Sequence, residues 1–170
     1  GGKDALIICE DADMDRATAA ANFGSFMHQG QICMSVEKVL VQQGIYESFV
    51  ERFVERASKL KVGDPTQDDQ NVIGPLINDK QVTKSREHIE DAVAKGANVL
   101  LGGGVEGRFV EPTIITGVTP DMKVYQEENF GPVIPVIAFN TDEEAIAIAN
   151  DTEYGLSSGV ITKDEARGLA

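Results

Sequence analysis

One of the two cysteines in the sequence lies where a thiol could do chemistry. Cys33 follows an alanine-rich stretch, 17–26, that predicts a helix, and Gly30 separates the two. Because glycine ends a helix and lets the backbone turn sharply, we expect Cys33 on a loop at the edge of a sheet. A thiol there could serve as a nucleophile, although a lone cysteine is more often structural. Cys9, at the end of the apolar run 5–9, is expected to be a small buried residue.

A second segment has residues that could bind a ligand. It runs from Gln126 to Pro132, directly before a strongly apolar stretch. It contains the acids Glu127 and Glu128, the aromatic Phe130 and a Gly-Pro corner. A carboxylate can accept two hydrogen bonds from vicinal hydroxyls, such as those of a ribose, and an aromatic ring offers a flat wall for a planar ring. By itself, the segment fits a solvated acidic turn with a buried Phe better than it fits a binding site.

Five segments along the chain resemble, in the same order, the motifs of one family, the aldehyde dehydrogenases. Gly30–Cys33 resembles the active-site cysteine motif, and Glu128–Pro132 resembles the nicotinamide-ribose motif. Gly1–Lys3 is similar to the end of the Glu-Leu-Gly-Gly-Lys motif, and its spacing to the cysteine also fits. Asn71–Ile77 and Tyr154–Leu156 match further family patterns. The resemblance therefore extends over essentially the whole chain.

This resemblance implies a thiol mechanism for aldehyde oxidation with NAD or NADP as the cofactor. Cys33 would be the nucleophile that converts a small-molecule aldehyde to a thiohemiacetal and, after hydride transfer to the nicotinamide, to a thioester that water hydrolyses. The backbone N–H of Cys33 and an Asn from an earlier part of the family's chain would hold the oxyanion. Glu128 would bind the hydroxyls of the nicotinamide ribose, and Phe130 would pack beside the nicotinamide.

The resemblance also implies that residues 1–170 are most of the catalytic domain of a longer enzyme. The Glu that acts as general base in the family would lie just before Gly1, and the cofactor-binding domain and a C-terminal oligomerisation segment would lie outside the sequence as well. We therefore expect little or no dehydrogenase activity from this chain alone, and a homodimer or homotetramer for the full-length protein. Because that Glu is not in the sequence, a CoA-acylating member, in which CoA takes the acyl group, is an alternative.

The segment 28–35 resembles most closely the branch of the family that acts on aromatic aldehydes such as benzaldehyde, salicylaldehyde and vanillin. Ile32 and Met34, which flank the cysteine, would form two walls of the substrate pocket. Ser35 and Lys38 depart from the family pattern, since many members have Ala and Arg at these positions. The sequence leaves the particular aldehyde open.

Alternating strand and helix patterns indicate the elements that must position these residues. Short apolar runs predict strands, and apolar residues at i, i+3, i+4 and i+7 predict amphipathic helices. The predicted strands are 5–9, 39–41, 98–101, 110–115, 133–139 and 158–161, and the predicted helices are 17–26, 46–60, 79–95 and 141–148. This alternation implies an α/β fold: an open, twisted, mainly parallel sheet with helices on both faces, as in a Rossmann-like domain.

Composition and charge limit the classes of function. The 170 residues include 28 Asp and Glu against 15 Lys and Arg, a net charge of −13, and 42% are hydrophobic. These values favour one domain with a core and argue against contact with nucleic acid or an anionic membrane. No apolar run reaches the ~20 residues of a membrane span, and the cysteines form neither a disulfide framework nor a zinc pattern. We therefore expect a reduced, cytoplasmic protein with no bound metal.

Two other patterns resemble known sites but favour ordinary structure. The loop 102–107 formally matches GxGxxG, yet the extended segment 108–112 follows it, where a dinucleotide site needs a helix. The acids Asp11, Asp13 and Asp15 lack the glycine and the final Glu of a calcium loop and are expected to cap a helix.

Two rival functions stay open at this point. The first is an acidic α/β interaction module in which Cys33 is structural. The second is a cysteine hydrolase, which would need a histidine base, and the two histidines, His28 and His88, have no Asn or Asp partner pattern. Faster alkylation of Cys33 than of Cys9 would separate a catalytic thiol from a structural one.

Overall fold

A six-stranded sheet forms the centre of the structure, a computed structural model that describes residues 1–169. The strands of the described residues are β1 (Asp4–Ile8), β2 (Val36–Gln42), β3 (Lys61–Val62), β4 (Asn71–Ile73), β5 (Asn98–Leu101), β6 (Val105–Glu106), β7 (Phe109–Val110), β8 (Thr113–Thr116), β9 (Val133–Phe139) and β10 (Ser158–Ile161). The order in the main sheet is β10-β1-β2-β9-β8-β5, and every pair is parallel except β5 with β8. A parallel pair, β3 and β4, and an antiparallel pair, β6 and β7, lie outside it.

Helices cover both faces of the sheet. They are α1 (Met14–Phe26), α2 (Tyr46–Ala57), α3 (Asp79–Ala94), α4 (Lys123–Gln126), α5 (Asp142–Asn150) and α6 (Glu165–Leu169). Alternate residues of the central strands point to opposite faces, so Leu6 and Val39 pack with α1 and α2, whereas Ala5 and Leu40 pack with α5. A further apolar cluster joins α3 to β8 and β9. This is the mainly parallel α/β arrangement that the sequence predicts.

The predicted helices are confirmed, with shifts at their ends. Helix α1 begins at Met14 because the side chain of Asp13 accepts a hydrogen bond from the backbone N–H of Arg16 (2.9 Å), which is the capping role expected of these acids. The Oγ1 of Thr141 caps α5 in the same way. In residues 1–169, no helix is both long and apolar enough to cross a membrane.

The predicted strand 110–115 is wrong as a single element. Pro112 divides it, so that Val110 pairs with Val105 in the β6–β7 hairpin while Thr113 begins β8 of the main sheet. Proline has no N–H for a sheet ladder, which explains why pairing changes at this residue. The glycine-rich loop 102–107 leads through that hairpin and not into a helix, as its sequence context predicted.

Candidate active site

Cys33 lies in a tight turn between the kinked segment Met27–Gly30 and the start of β2. A hydrogen bond from the backbone N–H of Ser35 to the carbonyl oxygen of Ile32 (3.0 Å) closes the turn. Cys33 is exposed and Cys9 is buried, as the sequence predicts for each. The turn therefore holds a thiol that a small molecule can reach.

Gly30 packs the cysteine turn against the segment 128–132. Its φ is +70°, in the left-handed region that glycine adopts without steric cost. A Cβ at this position would lie 2.5 Å from the carbonyl oxygen of Gly131, much closer than two such atoms can approach. The preceding His28 and Gln29 have φ of +50° and +60°, so the backbone that leads into the turn is also left-handed. The two segments predicted to carry chemistry are in direct contact here.

Gly2 joins Cys33 to Glu128. Its backbone N–H donates a hydrogen bond to Oε1 of Glu128 (2.9 Å). A Cβ on Gly2 would lie 2.9 Å from the backbone oxygen of Cys33, so the two backbones are in close contact. The carboxylate proposed to bind a ribose and the proposed nucleophile are thus separated by a single residue of a third segment.

Phe130 is half-buried and has a φ of +54°, in the left-handed region. For a residue with a Cβ this conformation costs about 1–2 kcal/mol, and such strain concentrates at functional sites. Hydrogen bonds fix the backbone around it. The N–H of Phe130 donates to Oε1 of Glu37 (2.8 Å), and the side-chain amide of Gln81 donates to the carbonyl oxygen of Asn129.

Two buried charged residues to which the sequence assigns no role in the site, Lys3 and Glu37, adjoin these loops. Nζ of Lys3 lies 2.9 Å from Oε2 of Glu37, and the two residues are only 2% and 4% exposed. Burial lowers the pKa of Lys3, while the neighbouring carboxylate of Glu37 acts in the opposite direction. A signal was present in the sequence, because charged residues directly before the apolar run 39–41 need partners if the strand is buried.

The candidate site lies at the amino ends of the parallel strands. Lys3 directly precedes β1, Cys33 precedes β2, and Gly131 precedes β9. Cys33 does lie on a loop at the edge of the sheet, but at the amino ends of the strands, whereas ligands of open α/β sheets usually bind at the carboxyl ends. Hydrogen bonds from Ser157 to the carboxylate of Asp4 fix the loop before β10 at the same end.

The two histidines have different surroundings. His28 is exposed, and His88 is fully buried on α3 with Nε2 3.4 Å from a carboxylate oxygen of Glu127. Burial, with a contribution from nearby lysines, lowers the pKa of His88 to about 3, so its ring is neutral near pH 7 and a weak base. Within residues 1–169, no group of three or more His, Cys, Asp or Glu residues could hold a metal ion.

The loops that carry an exposed thiol, a carboxylate and an aromatic ring therefore pack together at one end of a mainly parallel sheet. The family model described as "Aldehyde dehydrogenase family" matches residues 1–170. The chain belongs to the aldehyde dehydrogenase family, as its motifs indicate.

The similar proteins are much longer than this chain. It is 46% identical to a betaine aldehyde dehydrogenase of Brucella anthropi, covering 99% of this chain and 36% of the relative. It is also 46% identical to a benzaldehyde dehydrogenase of Bacillus subtilis, covering 100% of this chain and 35% of the relative. The crystal structure of betaine aldehyde dehydrogenase from Staphylococcus aureus in complex with NAD⁺ matches with a TM-score of 0.94 at 37% identity, covering 99% of this chain and 35% of that one. The chain spans about a third of the length of these relatives.

Proposed function

We propose that this chain is the catalytic-domain portion of an NAD(P)-dependent enzyme that oxidises an aldehyde to a carboxylic acid. The observation that carries the proposal is the exposed thiol of Cys33 on a turn packed, through Gly2 and Gly30, against the segment of Glu128 and Phe130. Family membership supports the reaction, and the NAD⁺ bound to the Staphylococcus aureus relative supports the cofactor. Since the chain spans about a third of its relatives, we expect it to have little or no activity alone.

Cys33 supplies the nucleophile in this proposal. Its thiolate sulfur forms a bond to the aldehyde carbon, and the carbonyl electrons move to oxygen to give a thiohemiacetal anion. When the C=O bond re-forms, hydride leaves the carbon and a thioester remains on Cys33. Bound NAD(P) would supply the hydride acceptor. Water then attacks the acyl carbon and gives a proton to a general base, which by resemblance to the family would lie just before Gly1; the C–S bond breaks, and the acid leaves as the thiolate is restored.

The backbone N–H of Cys33 is the oxyanion donor that this chain offers. In the described residues it makes no hydrogen bond, whereas the N–H groups of Gln31 and Ser35 close the local turns. A fixed N–H beside the reacting carbon lowers the barrier by stabilising the charge that develops on oxygen, and one such donor contributes about 10²–10³ in kcat.

Glu128 and Phe130 fit the nicotinamide end of the cofactor. The backbone N–H of Gly2 donates a hydrogen bond to Oε1 of Glu128. Oε2 accepts no hydrogen bond from residues 1–169 and is free for the vicinal hydroxyls of a ribose. The ring of Phe130 is half-exposed, and its backbone is held by a hydrogen bond to Glu37. A fixed, exposed aromatic ring is suited to packing against the flat nicotinamide ring.

An aromatic aldehyde is the substrate class that we propose. Large apolar side chains are exposed on α1 and around the cysteine turn, with Phe23 65% and Met34 62% exposed and Met27 between them in sequence. Exposed apolar groups mark binding surfaces, and methionine sulfur makes favourable contacts with aromatic rings. The names of the relatives include both a benzaldehyde and a betaine aldehyde dehydrogenase, so these two aldehydes give a direct comparison.

The test uses the complete protein that contains this chain, assayed for NAD(P)H formation with benzaldehyde and with betaine aldehyde. We expect kcat/KM to favour benzaldehyde, Cys33→Ser to abolish turnover, and the matched Cys9→Ser variant to retain it. Wild-type turnover by Cys33→Ser would overturn the thiol mechanism. A dependence on CoA, with an acyl-CoA product, would establish the CoA-acylating alternative. Sedimentation of the same protein measures whether it is the expected homodimer or homotetramer.

A further inference from the structure

We propose that Glu37 is a positioning residue that fixes the segment 128–131 relative to Cys33. The inference rests on the proposed function, because it takes this segment as the site of the nicotinamide ribose. Glu37 itself is buried and need not touch a substrate or cofactor. It would act through the backbone that carries Glu128 and Phe130.

Both carboxylate oxygens of Glu37 are engaged. Oε2 accepts hydrogen bonds from Nζ of Lys3 (2.9 Å) and from the backbone N–H of Asn129 (2.9 Å). Oε1 accepts one from the backbone N–H of Phe130 (2.8 Å). Hydrogen bonds to an ionised acceptor are stronger than those between neutral groups, and burial shields these from competition with water. Two consecutive backbone N–H groups therefore converge on one side chain.

This convergence explains the backbone conformation of Phe130. The left-handed φ of +54° is unfavourable for a residue with a Cβ, so surrounding contacts must impose it. The two hydrogen bonds from backbone N–H groups to Glu37 help to impose this conformation. A hydrogen bond from the side-chain amide of Gln81 to the carbonyl oxygen of Asn129 holds the same backbone. Without Glu37, the N–H groups of Asn129 and Phe130 would lose their partner and the segment would relax.

Glu37 also ties this segment to the nucleophile. It lies on β2, whose first residue, Val36, follows the cysteine turn directly, so the position of the carboxylate is set by the same strand that sets Cys33. Its third partner, Lys3, is adjacent in sequence to Gly2, which donates to Glu128. One buried carboxylate thereby links the three segments of the site.

The experiment compares Glu37→Gln with a matched control, Glu55→Gln, in the complete protein. Glu55 is also paired with a lysine, Lys59 at 2.8 Å, but both side chains are exposed on α2 or just beyond it. We expect Glu37→Gln to raise KM for NAD(P) about tenfold, with a smaller change in kcat, because the amide cannot accept from all three donors. Glu55→Gln should leave both constants unchanged.

A second comparison separates positioning from a mere buried ion pair. Lys3→Met removes the ammonium but keeps both N–H bonds to Glu37, so its KM for NAD(P) should rise less than that of Glu37→Gln. If Glu37 only balanced the charge of Lys3, the two variants would lose thermal stability together and neither would change KM. Glu37→Asp, which keeps the charge on a shorter side chain, should have an intermediate KM and replaces Glu37→Gln if that variant does not fold.

Hydrogen exchange at the amides of Asn129 and Phe130, measured on the same variants without substrate, gives a readout independent of activity. We expect these two amides to exchange at least tenfold faster in Glu37→Gln while the amides of α2 are unchanged. Unchanged exchange together with unchanged KM would overturn the role of Glu37 and leave the proposed function intact. Conversely, wild-type turnover by Cys33→Ser would overturn the proposed function, and the exchange measurement would still decide whether Glu37 holds the segment.

Discussion

The Cα of Gly30 faces the carbonyl oxygen of Gly131 so closely that a Cβ would approach it to 2.5 Å. These glycines lie about a hundred residues apart, in the two segments that the sequence singles out for chemistry. Their contact sets the distance between the cysteine turn and the segment 128–132, and any side chain at residue 30 would force the two apart.

We therefore expect Gly30→Ala to destabilise the fold and to displace the cysteine turn. The control is Gly107→Ala, because Gly107 also has a positive φ, +57°, but a Cβ there meets nothing within 4 Å. The control should lose only the cost of a left-handed alanine, about 1–2 kcal/mol. Gly30→Ala should lose about 1–3 kcal/mol more, as is typical of overpacking, in urea unfolding. Equal losses in the two variants would show that the contact with Gly131 has no energetic consequence.

Iodoacetamide should modify Cys33 well before Cys9. Cys33 is exposed, whereas Cys9 is 2% exposed and burial raises the pKa of its thiol. Alkylation requires both access and the thiolate, and burial limits both at Cys9. Peptide mass spectrometry after a short exposure at pH 7.5 measures the two rates, and we expect a ratio of at least about ten. Similar slow rates at both cysteines would favour a structural role for Cys33.

Stability should fall on acidification partly because of His88. Its pKa is lowered to about 3 by burial, against about 6.5 in the unfolded chain, so the unfolded state binds the proton more readily. The neutral His88 contributes its full share to the free energy of unfolding above pH 6.5. That share is lost as pH falls toward 3, by about 2 kcal/mol between pH 7 and 5. His88→Leu should therefore lose less stability than the wild type over that range in urea unfolding. Parallel pH profiles for the two proteins would contradict this assignment.

Lys38 should make stability rise with pH in the alkaline range, by the same linkage that operates for His88 at acidic pH. It is fully buried, with Nζ hydrogen-bonded to the carbonyl oxygens of Ile148 (3.3 Å) and Asp151 (3.0 Å) and placed 4.1 Å from the ring centre of Tyr125. Burial lowers its pKa to about 8, below the unfolded value, so folding releases a proton and its contribution to stability increases as pH rises above 8. We expect the stability of the wild type relative to Lys38→Met to increase by on the order of 1–2 kcal/mol from pH 7.5 to 9.5. A constant difference between the two proteins would show that Lys38 keeps an ordinary pKa.

Much of the fold could be predicted because its long elements have clear periodicity. The predicted 79–95 helix begins where α3 begins and ends one residue beyond it, and the apolar stripe of α2 is equally clear. By contrast, the strands β6 and β7 have two residues each and α4 has four, too few to show a period of 2.0 or 3.6. Such elements are specified by their surroundings and not by their own sequence.

The site could be predicted only in part, for a related physical reason. Cys33, Glu128 and Phe130 are singled out because their segments resemble aldehyde dehydrogenase motifs, whereas their residue types alone favour ordinary structure. Glu37 and Lys3 are not, since their pairing depends on two segments 34 residues apart in sequence coming together. Residue types also say nothing of the left-handed backbone that holds the aromatic ring.

The positive φ of Phe130 has a consequence for how this position can change. Glycine would adopt that conformation without steric cost, so a chain optimised only for folding would be expected to carry glycine there. A bulky ring on a strained backbone fits the proposed role of Phe130 beside the nicotinamide, in which some stability is given up for function. Libraries screened for thermostability alone should therefore drift away from Phe at this residue, and libraries screened for turnover should restore it.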